Sequence, residues 1–143
     1  MIKKKIRFEK VIPTSAQVEL LYELLKLREN TISHSLLPEF KEHKSFVEKN
    51  PYVDWFIIIV NDLAKGSCYI QKDNSIGINV SENIDEDEII ETFDFIKQNY
   101  IPLPAIKSVR RGEFFINISP SNSKLSKILK KLEKKQFQIS YLI

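Results

Sequence analysis

Few side chains in this sequence can do chemistry, and each has a plain structural role to set against a functional one. His43 stands beside Glu42 in a stretch of helical spacing, where an imidazole can contact a substrate or deprotonate an ammonium as a general base. A polar helix residue or a capping contact also accounts for it. Arg28 closes the preceding helical stretch. Its guanidinium can clamp a phosphate or carboxylate through two parallel bonds, and it is equally a favourable cation at a helix C-terminus. His34 falls in Glu29 to Leu37, which has no clean period and reads as a loop. Such a loop can line a binding mouth with Arg28 and Asn30, or His34 is simply solvated. Cys68 alternates in a strand pattern between Ser67 and Tyr69, and as the one cysteine it reads as a small buried thiol in a reducing cytoplasm. With two histidines and neither CxxC nor HExxH, no metal site is expected.

Charge is distributed unevenly. Glu82, Asp85, Glu86, Asp87, Glu88 and Glu91 follow one another with no positive charge between them. Residues 107–135 carry Lys107, Arg110, Arg111, Lys124, Lys127, Lys130, Lys131, Lys134 and Lys135 against Glu113 and Glu133. The lysines oppose the apolar stripe of a helix, as any amphipathic surface helix arranges them. A sharper reading has them and Arg110 and Arg111 attract an anionic ligand. Aromatic residues are not interleaved with them, which disfavours nucleic acid.

The elements that position these groups follow from the hydrophobic periodicity. A chain of 143 residues is one domain's worth, and its folding buries about 70% of the extended surface. Apolar residues at 43% exclude a disordered chain, and no apolar run is long enough to span a membrane. The basic start has no apolar stretch behind it, so no secretory signal is expected. Lys5 to Ile12 reads as a strand. Thr14 and Gln17 fit a capping box for a helix to about Arg28. Pro38 suits the first turn of a second helix, with Phe40, Phe46 and Val47 inward, ending at Asn50-Pro51. Asp54 to Val60, Lys65 to Gln71 and Ser75 to Val80 form an antiparallel meander across two short turns. Asp85 and Glu88 box a third helix to Asn99, with Ile89, Phe93 and Ile96 inward. A Pro-punctuated connection leads to a strand from Phe114 to Ile118. Ser121 caps a fourth helix with Leu125, Ile128, Leu129 and Leu132 on one face, and Phe137 to Leu142 closes as a strand. The order β-α-α-β-β-β-α-β-α-β predicts an α+β fold: one domain over residues 1–143, with a single mixed, mostly antiparallel sheet flanked by helices.

That order resembles the GNAT superfamily of N-acetyltransferases, and local patterns add to it. Arg28-Glu29-Asn30 followed by Glu42-His43-Lys44-Ser45-Phe46 resembles a pattern of small members that acylate amino sugars or amino acids. Trp55 to Ile58 followed by Lys65 to Ile70 resembles the superfamily's central hairpin. Asn117-Ile118-Ser119-Pro120-Ser121-Asn122 resembles the turn that opens its last helix. The resemblance covers essentially the whole chain. It implies acetyl-CoA as donor, no metal, and a small amine as acceptor, such as an amino sugar in surface-polysaccharide synthesis. It implies donor contacts from Gly77, Val80, Ser81, Asn117 and Asn122, and acceptor contacts from Arg28, Asn30 and His34. His43 becomes the candidate base and Ser126 the candidate acid for the thiolate. Asn122 serves as well as a plain N-cap, and a homodimer stays open.

Two departures stand against these implications. The loop after Val80 reads SENIDEDE, without the glycines whose backbone amides hold the CoA pyrophosphate in the superfamily. Leu129 occupies the place of the tyrosine that often protonates the leaving thiolate there. The alternative is therefore a degenerate GNAT-like module for ligand binding or assembly that no longer binds CoA.

Overall fold

In the computed structural model, residues 3–27 and 37–143 are described. They form β1 (Ile6–Lys10), α1 (Ser15–Leu27), α2 (Phe40–Glu48), β2 (Asp54–Val60), β3 (Leu63–Ile70), β4 (Ser75–Val80), α3 (Glu86–Asn99), β5 (Phe115–Ile116) and α4 (Ser123–Lys131). One sheet runs in the order β1-β2-β3-β4-β5, antiparallel except for the parallel pair β4–β5. The expected α+β arrangement is present.

The apolar run of β2 explains the layering. Side chains alternate across a strand, so a strand apolar on both faces must be covered on both. Phe56, Ile58 and Val60 pack with Cys68, Ile70 and Ile76 beneath Ile89 and Ile96 of α3 and Leu125 and Ile128 of α4. Trp55, Ile57 and Ile59 face the other way, against Val18, Leu21 and Leu24 of α1 and Val47 of α2. Asn61 and Asp62, with φ of 48° and 65°, make the β2–β3 hairpin turn. Two successive left-handed residues match the strand twist there, and Asn and Asp tolerate that conformation.

Several boundaries differ from the sequence reading. Helix α2 starts at Phe40 with Glu39 as N-cap, so Pro38 precedes the helix instead of opening it. Val47 and His43 are its buried residues, whereas Phe40 and Phe46 are 42% and 44% exposed. Nine residues bury only a narrow stripe, and Phe40 and Phe46 cover neighbouring rings edge-on, Tyr22 and Tyr52 respectively. Asn122, not Ser121, caps α4, taking the Leu125 N–H on its side chain at 3.1 Å. Strand β5 shrinks to two residues, and the expected strand from Phe137 to Leu142 is absent. Glu133, at φ 58°, turns the chain out of α4. Phe137 then docks edge-on against Phe115 with the Arg111 guanidinium over its ring, while Ile139, Tyr141 and Leu142 stay exposed.

Burial predicts unequal effects of truncation. Ile58→Ala should lower the unfolding free energy by about 2–5 kcal/mol, and Phe40→Ala by about 0.5–1.5 kcal/mol, the worth of one partly exposed aromatic pair. Urea titration of the two variants checks this, and equal losses would contradict the two-layer burial.

Candidate active site

The site arises where β4 and β5 part. Their ladder has two rungs, Ser75 with Phe115 and Ile76 with Ile116, and ends there. Alternate amides of a strand point to opposite sides. The Ser81 N–H donates to the Lys65 carbonyl on β3, 2.9 Å, while the Asn74 carbonyl takes the Phe115 N–H on β5, 3.2 Å. By this parity the main-chain groups of Ile78 and Val80 point into the wedge that β5 has left. A shallow cleft lies on the α3–α4 side of the wedge, lined by Ile78, Val80, Ser81, Ile89, Asn122, Lys124 and Leu125. Its walls are apolar strand and helix side chains. Its rim is polar.

The acidic loop at the cleft mouth is largely neutralised. Glu88 is fully buried at the α3 N-terminus, where its carboxylate takes the Asp85 N–H at 2.9 Å and completes the expected capping box. Lys65 and Lys4 hold the same carboxylate at 2.9 and 3.1 Å. Lys4 also reaches Asp85 and Asp87, and Lys131 of α4 reaches Glu86 at 2.8 Å. Burial raises the Glu88 pKa, but the Asp85 N–H and the two ammoniums outweigh it, leaving the carboxyl below its ordinary range. Lys124 lies across the loop and donates to the carbonyls of Glu82 and Ile84. Two further loop amides are engaged: Ile84 N–H bonds the Ser81 carbonyl and Glu88 N–H the Asp85 carbonyl.

The candidates divide by position. Val80, Ser81 and Asn122 meet in the cleft. Gly77 does not line it; its position is on the opposite face of β4, under Tyr69. Asn117 is exposed just past β5, and Ser126 is half-buried on α4, its N–H on the Asn122 carbonyl at 3.1 Å, without itself lining the cleft. His43 is buried in the seam between α1 and α2, with Tyr22 and Phe40 beside its ring. Its Nε2 lies 2.9 Å from the Val18 carbonyl, which can only accept, so that nitrogen carries the proton. Burial lowers its pKa, with the Val18 bond acting the other way. Arg28, Asn30 and His34 lie outside the described residues. Arg110 and Arg111 stand at the far end of β4 from the acidic loop. Arg110 donates to the Pro104 and Lys72 carbonyls, and Arg111 pairs with Glu113. These two arginines therefore cannot collect an anion for the loop.

Sequence reasoning missed two features of the site. Tyr69 faces Gly77 across the β3–β4 ladder, and a Cβ on Gly77 would come within 2.0 Å of the Tyr69 ring. The ring thus lies on bare β4 backbone at the first residue beyond the β5 ladder, stacked on Tyr52 at 4.0 Å. Only a glycine opposite an aromatic residue hinted at this. Lys124 was read as one of a row of surface lysines, and only the fold turns it over the loop. Cys68 is buried, and burial pushes its thiol up to about 12, which fits the inert role expected of it.

No family model matches the sequence, and no curated protein matches it significantly. Solved structures do. A domain from Methanocaldococcus jannaschii DSM 2661 is 18% identical with a TM-score of 0.66, over 96% of this chain and 93% of that one. Campylobacter jejuni N-acetyltransferase PseH, in complex with acetyl coenzyme A, is 13% identical with a TM-score of 0.61, over 95% and 92%. Aminoglycoside N-acetyltransferase AAC(6')-Iy, in complex with CoA, is 14% identical with a TM-score of 0.62, over 99% and 95%. The chain has the fold of the GNAT acetyltransferases. No helix among the described residues is long and apolar enough to cross a membrane.

The Glu88 cluster predicts an acid-sensitive loop. A carboxyl whose folded pKa lies below its unfolded value of about 4.5 stabilises the fold above that value. The contribution disappears as pH falls through the folded pKa. Glu88→Gln should therefore lower stability at pH 7 by about 3 kcal/mol, the low end for breaking a buried pair, because Lys4 and Lys65 keep some contact with water. It should also flatten the fall in melting temperature between pH 5 and 3. An unchanged acid profile would show that Glu88 carries no folding-linked charge.

Proposed function

We propose that this chain is an acyl-CoA-dependent N-acyltransferase, acting in the cytoplasm, that transfers an acetyl group to the amine of a small acceptor such as an amino sugar in surface-polysaccharide synthesis. The observation that carries the reading is the wedge between β4 and β5, with strand amides directed into it over an apolar floor. An extended, amide-bearing arm fits such a wedge, because the main chain of Ile78 and Val80 offers it the hydrogen bonds of a further strand. Asn122 and Ser81 add polar contacts at the rim. A bound acyl-CoA supplies the acyl group as a thioester. This chain holds that arm, keeps water from it with Ile78, Val80, Ile89 and Leu125, and leaves the opposite face of β4 for the acceptor.

The pyrophosphate of such a donor fits less well. The Ile84, Asp85 and Glu88 amides of the loop are bonded within it, and its carboxylates already occupy the positive end of α3. Lys124 is the cation that the cleft presents at that point. In this reading Asn117 borders the arm, Gly77 acts indirectly by leaving room for the Tyr69 ring on the other face of β4, and Ser126, four residues beyond Asn122 on α4, supplies a hydroxyl to the leaving thiol. Arg28, Asn30 and His34 contact the acceptor. His43 has only Nδ1 left to accept a proton, so the base is that atom or a water relay. A homodimer through the exposed, alternating residues 137–142 belongs to the same reading.

The self-satisfied loop favours a second reading, a GNAT-like module that binds no CoA. Melting curves with and without acetyl-CoA separate the two. A ligand at about 100 times its Kd stabilises the native state by about 2.7 kcal/mol, so the transferase reading expects a rise of several degrees. It also expects thiol release with at least one amino sugar in a panel of amines. A melting temperature unmoved by millimolar acetyl-CoA would reject the donor site and leave the second reading.

A further inference from the structure

We propose that Asn74 is a positioning residue for the donor cleft: it fixes β5 against β4 and so sets where the two strands part. The proposal rests on the transferase reading for its functional consequence and on hydrogen bonds for its geometry. A parallel ladder of two rungs cannot by itself hold a strand in register. The residues leading into β5, from Ile101 to Gly112, hold no strand or helix, only an isolated bridge between Ile106 and Arg110 and one long bond, 3.4 Å, from Arg110 to the Lys72 carbonyl. Something else must place that connection.

Asn74 does so from a fully buried position at the head of β4. Its Nδ2 donates to the Leu103 carbonyl at 2.9 Å and to the Arg111 carbonyl at 2.7 Å. Its Oδ1 accepts the Leu103 N–H at 2.8 Å. One side chain therefore ties both ends of the connection together. The Asn74 carbonyl takes the Phe115 N–H at 3.2 Å, placing the first residue of β5, and its own N–H donates to the Gln71 carbonyl at 3.0 Å. The backbone sits at φ 72°, left-handed, where Asn is tolerated and bulky residues are not. Glycine could adopt that angle but would supply no bonds. Aspartate could accept from Leu103 but could not donate to two carbonyls. Asparagine alone among the three meets every demand. The ladder ends at Ile76 with Ile116, two residues beyond Asn74, and the first wedge-facing residue, Ile78, follows. A shift of β5 by one residue would move the wedge mouth by about 3.3 Å, the length of a peptide unit, and misalign the Ile78 and Val80 amides with any bound arm.

The test uses Asn74→Asp and Asn74→Gly, which keep the left-handed angle accessible, with Val47→Ala in the opposite core layer as a control of comparable melting temperature. Amide hydrogen exchange should accelerate at least tenfold in residues 101–116 of both Asn74 variants while β2 and β3 stay protected. The acetyl-CoA dissociation constant, measured by calorimetry well below the melting transitions, should rise at least tenfold in both, and stay within twofold in Val47→Ala. Accelerated exchange spread evenly over the sheet would overturn the proposal, since Asn74 would then serve global stability alone. Local acceleration with unchanged acetyl-CoA affinity would overturn it too. If the unaltered protein does not bind acetyl-CoA, the transferase reading fails separately, and the exchange pattern alone decides whether Asn74 sets the place of β5.

Discussion

A parallel ladder of two rungs, Ser75 with Phe115 and Ile76 with Ile116, is the constraint on which the rest of the site depends. Strands β1 to β4 pair antiparallel in chain order, each over five or more rungs. The fifth must lie parallel to β4 and then leave it, because its early departure turns an ordinary sheet edge into a wedge with exposed main-chain groups. Such a gap inside a protein is normally a defect, since unpaired main-chain groups are poorly tolerated away from water. It persists here because both sides are fixed independently. Residues Phe56, Cys68 and Ile76 anchor β4 through the α3–α4 core, and Asn74 anchors the approach to β5.

Charge at the wedge mouth obeys a second constraint. Six acidic residues between positions 82 and 91 would repel any anion if left bare, yet most of those at the α3 N-terminus are matched by lysines drawn from three separate elements. Lys4 comes from the chain before β1, Lys65 from β3 and Lys131 from α4. The exposed pairs among these are worth little singly. The buried Glu88 with its backbone and ammonium partners is the part that fixes the loop. The ion pairs remove much of the repulsion, while the Ile84, Asp85 and Glu88 amides are bonded within the loop, so the loop is neither hostile to a phosphate nor built around one. This balance is why the wedge, and not the loop, carries the functional reading.

The sequence was legible where one local signal acted alone. The runs DWFIIIV and SIGINV gave β2 and β4 their observed limits, and the Asp85–Glu88 box placed the start of α3. It was misleading where a long-range partner decided. The apolar alternation from Phe137 to Leu142 suits a strand, but in the structure no neighbour takes up its ladder, and Phe137 turns sideways onto Phe115. Phe40 and Phe46 look like core residues by type, yet the helix buries the stripe of His43 and Val47. Of the candidate site, Val80, Ser81 and Asn122 were named through the resemblance, and the fold brings these three together in one cleft. Tyr69 over Gly77, Lys124 over the acidic loop and Asn74 under the connection were not, since each acts through contacts that no spacing in the sequence encodes.

The proposed transfer depends first on the wedge between β4 and β5 receiving an acyl-CoA. Backbone amide chemical shifts, followed by NMR as acetyl-CoA is added, test it most directly. The claim predicts saturable perturbations concentrated at Ile78, Val80, Ser81, Asn122 and Leu125, with β1 and the outer face of α1 unmoved. Perturbations confined to the exposed lysines of α4, or none at all at millimolar acetyl-CoA, would contradict it.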